Sequence, residues 1–236
     1  KDIDTVIHLA GLVSYSKPRE VMFRVNTEGT KNVLEACKKA DKFIFSSSVS
    51  VYGEIKGEAD ESYPRNPKNP YGESKREAEN IIRDSDIPNL IFRIAPIYGE
   101  GSPQWLKNLS LLEKGFPIPR TPNLTHVTHI LNAVHAFTIG IKKGEGIYNI
   151  ADVKPVKFVE FAEILVEMLG KEPKTLPYWL VNLLARLKGL KTYLDVLTMN
   201  RNYDISNAVK ELDYNPKIDF LGELKKMVDW YKLQKL

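Results

Sequence analysis

The stretch KFIFSSSVSVYG, residues 42–53, decides how the chain folds. It starts with an apolar, aromatic run that predicts a buried strand over residues 42–46. Ser46, Ser47 and Ser48 end that strand and open a long loop that contains three prolines. In open α/β sheets ligands lie outside the carboxyl ends of the strands. The serine cluster is therefore a candidate site, although a serine-rich turn that binds its own backbone is also common.

Strands and helices alternate on either side of this stretch. A strand is predicted at residues 5–9 before it and another at residues 89–94 after it. Helical patterns at residues 27–39 and 71–83 separate the three strands. This alternation predicts the α/β class, a doubly wound parallel sheet with helices on both faces.

The second half of the chain is less regular. Helices are predicted near residues 106–114, 130–141, 157–169, 180–187, 207–212 and 221–234, and a strand at 146–151. Ser206 is the expected cap of the helix at 207–212, and residues 116–122 are only a proline-rich stretch. The pattern changes near Gly99, which divides the chain into residues 1–99 and residues 100–236.

Composition excludes several classes of protein. The 236 residues are 43% hydrophobic and 27% charged. A chain of this length and composition can bury a hydrophobic core without disulfide bonds or a structural metal ion. Cys37 is the single cysteine, and with four scattered histidines no disulfide framework and no metal site is expected. The net charge of +4 is mild and the charges are mixed, so no nucleic-acid partner is expected.

Hydropathy, the start of the sequence and cysteine usage together predict where the protein is located. The longest apolar stretches contain polar residues and fall short of about 20 residues, so neither a membrane span nor a membrane partner is expected. No signal peptide is recognised. Cysteine usage fits a reducing compartment, and we expect the protein to be cytoplasmic.

Tyr71 and Lys75 lie four residues apart in the predicted helix 71–83, and therefore on one face. A nearby ammonium stabilises a phenolate and lowers the pKa of the phenol, which suits a general acid/base near neutral pH. Such a pair also occurs by chance on solvated helices.

The small residues Ala10 and Gly11 follow the first strand and let a flat ligand approach the backbone. Asn26 is expected to cap the helix that begins after it.

Taken together and in this order, these motifs resemble the extended short-chain dehydrogenase/reductase family, which contains nucleotide-sugar epimerases, dehydratases and their relatives. The matching segments are VIHLAG (6–11), NTEGTKNVLEAC (26–37), FSSSVSVYG (45–53), NPYGESK (69–75), FRIAPIYGEG (92–101), GIYNIAD (146–152) and YDISNAVKELDYNPK (203–217). The resemblance implies a Rossmann-type fold. Residues 1–99 would be the remainder of the dinucleotide-binding domain and residues 100–236 mainly a substrate-binding subdomain, with segments that return to the Rossmann core.

The resemblance also implies roles for individual residues. Tyr71 would be the catalytic acid/base, with Lys75 lowering its pKa and binding the nicotinamide ribose. Ser48, five residues before Gly53, would be the catalytic serine, and Ser48 and Ser50 would contact substrate. The cofactor, NAD or NADP with NAD favoured, would be lined by Leu9, Ala10, Gly11, Asn26, Tyr71, Lys75, Ile94 and Pro96.

The sequence departs from the family pattern at its start. No Gly-rich phosphate loop is found. The resemblance implies that residues 5–9 correspond to the family's fourth strand. Roughly 60 residues, about two strand–helix units, would precede this chain in the family. Either the chain is part of a longer protein, or it lacks the loop naturally. In both cases we expect the chain from Lys1 to bind NAD(P) poorly and to leave the strand at 5–9 with an unpaired edge.

The sequence also differs from the family pattern in the motif that binds substrate. The family's H-V-x-D motif is represented by His126 to His129, and the nearest upstream arginine is Arg120. His129 is expected to be structural. The leading hypothesis is a nucleotide-sugar epimerase or dehydratase. Its alternatives are a 3β-hydroxysteroid-dehydrogenase-like or dihydroflavonol-reductase-like enzyme on an apolar substrate, and a non-catalytic dinucleotide-binding scaffold. A homodimer through the helices at 27–39 and 71–83 is also expected.

Overall fold

The computed structural model describes residues 3–15 and 17–234. The strands are β1 (Thr5–His8), β2 (Lys42–Ser48), β3 (Asn89–Ile94), β4 (Ile97–Tyr98), β5 (Ile118–Arg120), β6 (Leu124–Thr125), β7 (Thr128–His129), β8 (Gly146–Ile150), β9 (Val156–Lys157) and β10 (Thr175–Pro177). The α-helices are α1 (Arg19–Phe23), α2 (Gly29–Ala36), α3 (Pro70–Arg83), α4 (Pro103–Glu113), α5 (Ile130–Lys142), α6 (Phe158–Met168), α7 (Tyr178–Leu187), α8 (Lys191–Leu197), α9 (Ser206–Leu212) and α10 (Phe220–Leu233). A π-helical turn, Arg24–Glu28, joins α1 to α2, and a 3-10 turn, Val49–Val51, follows β2.

A four-stranded parallel sheet in the order β1-β2-β3-β8 forms the centre of the fold. Ser48 pairs with Ile94 and Ile94 with Ile150, so the carboxyl ends of three strands meet at one edge of the sheet. Among the described strands, β1 has a hydrogen-bonded neighbour on one side only, and Ile7 on it is exposed.

Helices cover both faces of this sheet, as the alternating sequence predicts. On one face Phe43, Phe45 and Ile91 pack against Leu34 of α2 and Ile82 of α3. The opposite face forms a second cluster from β2, β3, β8, α5 and α9, which contains Ile44, Leu90, Phe92, Ala133, Ala136, Tyr148, Ile150 and Leu212. Because side chains alternate along a strand, neighbouring residues of β2 and β3 serve opposite cores. The α/β, doubly wound fold is therefore confirmed.

A separate apolar core joins α4, α6 and α10, with Trp105, Phe161, Leu165, Leu224 and Met227 among its buried residues. Strand β8 and helix α9 come after residue 99 in the chain. Strand β8 is nonetheless part of the central sheet, and α9 packs on one face of that sheet. Within residues 3–15 and 17–234, no helix is long and apolar enough to cross a membrane. The same residues contain no cluster of three histidine, cysteine or carboxylate side chains placed to hold a metal ion.

Several local expectations are corrected by tertiary structure. The helix predicted to begin after Asn26 starts at Arg19, and the chain stays helical through the π-turn, so Asn26 caps nothing. The stretch at 116–122 contributes strand β5, which pairs with β10, and α8 is a helix that the sequence pattern did not indicate. Ser206 is not the cap of α9: the Asp204 carboxylate accepts hydrogen bonds from its backbone N–H and its hydroxyl.

Candidate active site

A cleft of about 210 Å³ opens at the carboxyl edge of the sheet, beside the first turn of α3. It brings together most of the predicted site residues: Leu9, Gly11, Ser48, Ser50, Tyr71, Lys75, Ile94 and Pro96 all line it. Two predicted residues do not line it. Ala10 is exposed, and Asn26 is buried behind Gly11. Sequence positions up to about 90 residues apart therefore converge at one edge, as parallel strands require.

The first turn of α3 places Tyr71 in the cleft. The Asn69 side chain accepts a hydrogen bond from the backbone N–H of Gly72 at 2.9 Å, and Pro70 follows it as the first helical residue. Both features favour the start of a helix here. A Cβ at Gly72 would lie 2.4 Å from the carbonyl oxygen of Ser50. The missing side chain lets the helix approach the loop after β2, which brings Tyr71 next to the serines.

Burial raises the pKa of Tyr71, and a hydrogen bond with Ser48 partly offsets this increase. The expectation of a lowered pKa is therefore wrong for the chain alone. The physical reason is that the phenol is only 7% exposed, and a buried phenolate loses its hydration. Removal of the proton from Tyr71 thus depends on the charges and hydrogen bonds supplied inside the cleft.

Lys75 supplies the positive charge of the cleft. Its ammonium donates a hydrogen bond to the backbone carbonyl of Ser46 at 2.8 Å and lies 4.7 Å from the centre of the Phe45 ring. Burial lowers the pKa of Lys75 to about 8, and the carboxylate of Glu79 acts in the opposite direction. Lys75 is therefore mostly charged at neutral pH, close to the point where it loses its proton.

Ser48 and Ser50 form the hydroxyl side of the cleft. The Ser48 hydroxyl donates to Ser50 Oγ at 3.1 Å and accepts from the backbone N–H of Ser50 at 3.1 Å. The serine turn thus binds its own backbone, as the simpler interpretation expects, and also contacts Tyr71. A hydroxyl that is held on two sides presents a fixed direction to a bound molecule.

Asn26 acts as a clamp. Its amide donates to the carbonyl of Leu12 at 3.0 Å and to Ser74 Oγ at 2.9 Å, and its carbonyl accepts from the Leu12 N–H at 2.7 Å. These bonds hold the segment after β1 against α3. A Cβ at Gly11 would lie 3.1 Å from the Lys75 ammonium, so a larger residue there would displace it. The π-turn carries Asn26 into this position, an irregularity often found at functional sites.

An apolar pocket of about 110 Å³ adjoins the cleft. The two share Tyr15, Pro96, Ile97 and Gln104, and the walls of the second come mainly from α4, α6, α8 and β5. Among the described residues lining this pocket, Arg201 is the one cation. No sequence pattern indicates Tyr15, Gln104 and Arg201, because they come from separate loops and a helix with no shared motif.

Two residues at which the sequence departs from the family's substrate motif, Arg120 and His129, line neither the cleft nor the apolar pocket. Arg120 is exposed and donates to Thr175 Oγ1 at 3.4 Å, outside the pocket. His129 caps α5, since its Nδ1 accepts from the Leu131 N–H at 3.3 Å, and its Nε2 lies 3.3 Å from the Glu223 carboxylate. Both contacts of His129 are made within the fold, to the first turn of α5 and to Glu223 of α10.

A Rossmann-type sheet with Tyr71, Lys75 and Ser48 at its carboxyl edge defines a class of dinucleotide-linked proteins. Residues 1–151 match the model of the NAD dependent epimerase/dehydratase family, and the chain belongs to that family. It is 33% identical over 214 residues to mouse sterol-4-alpha-carboxylate 3-dehydrogenase, decarboxylating, covering 80% of this chain and 59% of the relative. It is 29% identical over 254 residues to human dTDP-D-glucose 4,6-dehydratase, covering 98% and 69%.

Solved structures show the same fold. UDP-glucuronic acid 4-epimerase from Bacillus cereus in complex with NAD superposes with a TM-score of 0.78 at 23% identity, over 100% of this chain and 76% of that chain. UDP-glucose 4-epimerase from Thermotoga maritima gives 0.78 at 22%, over 99% and 78%. The chain spans 59% and 62% of the length of the first two curated relatives.

Proposed function

We propose that the protein catalyses the NAD(P)-dependent oxidation of a secondary alcohol, within the reaction cycle of a nucleotide-sugar epimerase or dehydratase. The observation that carries this proposal is the convergence of Ser48, Tyr71 and Lys75 in one cleft beside a second pocket. A hydroxyl, a phenol and an ammonium are the groups needed to hold an alcohol and remove its proton. This convergence argues against the scaffold hypothesis, because a protein that only binds needs no acid/base pair.

The cleft fits the nicotinamide end of a dinucleotide. The absent side chain at Gly11 keeps the backbone open next to Lys75, and Ile94 and Pro96 provide an apolar wall. Lys75 and Tyr71 offer an ammonium and a hydroxyl to the sugar that carries the ring. When bound, the nicotinamide would accept a hydride, which is chemistry that no side chain supplies. NAD is favoured over NADP as the partner, and the chain's own residues would orient it.

Four side chains would act on the bound substrate, directly or through a neighbour. Ser48 would hold the reacting hydroxyl, since its own hydroxyl is fixed by Ser50. Tyr71 would take the proton from that hydroxyl and return it in the reverse direction. The ammonium of Lys75 would stabilise the phenolate, which opposes the effect of burial on the pKa of Tyr71. Ser50 would add a further hydrogen bond to the substrate.

Arg201 supports a nucleotide-sugar substrate. A guanidinium in an otherwise apolar pocket can bind a diphosphate with two parallel hydrogen bonds, while the apolar walls accept a base or sugar. The second candidate is an apolar alcohol or ketone, such as a steroid or flavonoid. It is favoured by the aromatic and aliphatic walls, which include Trp105, Phe158 and Phe161.

A comparison of two arginine variants tests this substrate class. The full-length protein is mixed with NAD and with UDP- and dTDP-sugars, whose products are separated by chromatography because an epimerase or dehydratase cycle forms no net NADH. With apolar secondary alcohols, the nicotinamide absorbance is followed instead. Arg201→Gln should raise KM for a nucleotide sugar by about 10²-fold, the cost of a charged bidentate contact. Arg120→Gln, an exposed arginine outside the pocket, is the control and should behave as wild type. Turnover of apolar alcohols alone, unchanged in Arg201→Gln, would assign the second candidate.

A homodimer is also part of the proposal, together with the cytoplasmic location. The expected interface helices form one layer, in which Arg19 of α1 binds Glu73 of α3 at 2.8 Å. Leu34 and Ile82 serve the monomer's own core, so the interface would need the outer surface. Val25, in the π-turn just before the predicted helix at 27–39, is 42% exposed there.

The oligomeric state can be measured by light scattering at micromolar concentration. We expect a dimer mass for the wild-type protein and a monomer mass for Val25→Glu, because a charge in an apolar interface lacks a partner. Val209→Glu on α9, which is similarly exposed, should stay dimeric. A monomer mass for the wild-type protein would refute the dimer.

A further inference from the structure

Glu79 lies on α3 one turn beyond Lys75 and is fully buried. Its Oε1 accepts a hydrogen bond from Ser47 Oγ at 2.6 Å. Arg93 donates to both carboxylate oxygens, through Nε at 3.1 and 3.3 Å and through Nη2 at 2.8 Å, and Arg65 donates through Nη1 at 3.1 Å. The carboxylate therefore connects β2, β3 and the loop before α3.

The position of Ser47 separates this network from an ordinary buried ion pair. Ser47 lies between Ser46, whose carbonyl accepts from Lys75, and Ser48, whose hydroxyl contacts Tyr71. Ser47 lines the cleft together with these two serines, and its side chain is held by Glu79. A strand end fixed in this way cannot rotate without moving both Ser46 and Ser48.

We propose that Glu79 is a positioning residue for the active site. Through Ser47 it fixes the strand end that carries Ser46 and Ser48, and its carboxylate is the negative charge that faces the Lys75 ammonium. This inference rests on the proposed function, because it concerns the same cleft.

The electrostatic part of the proposal has a definite sign. Burial lowers the pKa of Lys75, and Glu79 raises it. Among the described residues, the other ionisable groups around Lys75 are Tyr71 and Tyr15, which line the same cleft, and His8 on β1. Burial and Lys75 lower the pKa of His8. Arg93 and Arg65 lie beyond Glu79 and share its charge. Without the carboxylate, Lys75 loses its proton at a lower pH.

The titration of Lys75 can be followed by NMR of its side chain, assigned by difference from Lys75→Met. Glu79→Gln should lower the pKa of Lys75 by about one unit, as expected for removal of a nearby opposite charge. Ser47→Ala should leave that pKa unchanged and lower turnover about tenfold, because the serine turn is then less firmly held. Ser47→Thr, which keeps the hydroxyl, should restore turnover.

Glu79→Gln leaves Arg93 without its counter-charge, so the double variant Glu79→Gln/Arg93→Met is measured beside it. An unchanged pKa of Lys75 in both variants, with wild-type turnover in Ser47→Ala, would overturn the proposal. Wild-type turnover in Tyr71→Phe would instead overturn the proposed function, which keeps the two failures distinct.

Discussion

Replacement of Tyr71 by phenylalanine should lower kcat by at least about two orders of magnitude, as expected for loss of a general acid/base. The change removes one hydroxyl and keeps the ring, which is buried between the serine turn and the edge of Tyr15. The fold should survive, because the first turn of α3 is held by Asn69 and Pro70 rather than by this hydroxyl. Turnover and thermal unfolding of the variant are the measurements.

Tyr214→Phe is the matched control for this variant. It also removes a buried hydroxyl, one that donates to the carbonyl of Ala151 at 3.0 Å, but Tyr214 lies outside the cleft. Its turnover should stay within about twofold of wild type, while its stability falls by about 1 kcal/mol. Activity of Tyr71→Phe within a few-fold of wild type would remove Tyr71 from the mechanism.

Replacement of Lys75 by methionine should lower kcat about 10²-fold at neutral pH and move the remaining activity to higher pH. Burial already raises the pKa of Tyr71. In the proposed mechanism the ammonium of Lys75, which lines the same cleft, favours the phenolate, so loss of that charge would raise the pKa further. Methionine keeps an unbranched apolar side chain at this position, but it loses the ammonium that lies 4.7 Å from the centre of the Phe45 ring.

The wild-type profile should show the complementary effect. Because the pKa of Lys75 is lowered to about 8, its charge is complete well below pH 8 and is lost as the pH rises through that value. Activity that depends on the ammonium should decline on the alkaline side in the wild type, and this decline should be absent in Lys75→Met. Lys31→Met, an exposed lysine on α2, controls for loss of charge alone. A wild-type profile in Lys75→Met with normal cofactor affinity would contradict the Tyr71–Lys75 pairing.

Local patterns in the sequence determined the main elements of the fold. The strand Asn89–Ile94 has its predicted bounds, and α3 begins one residue before its predicted start. Both predictions succeed because a buried strand and an amphipathic helix each leave a characteristic pattern of apolar residues in the sequence. The same local logic places Tyr71 and Lys75 on one face of a helix. It also indicates the edge of the sheet, because parallel strands have their carboxyl ends together.

Long-range packing decided what those residues do. Asn26 has the side chain of a helix cap, but α1 extends the helix before it, so its amide binds Leu12 and Ser74 instead. Burial, which depends on the whole fold, reversed the expected direction of the pKa shift of Tyr71. The hydrogen bonds of Glu79 join three elements, and Arg201 enters a pocket built from distant helices. Such contacts carry no periodicity, so only the tertiary structure could bring them together.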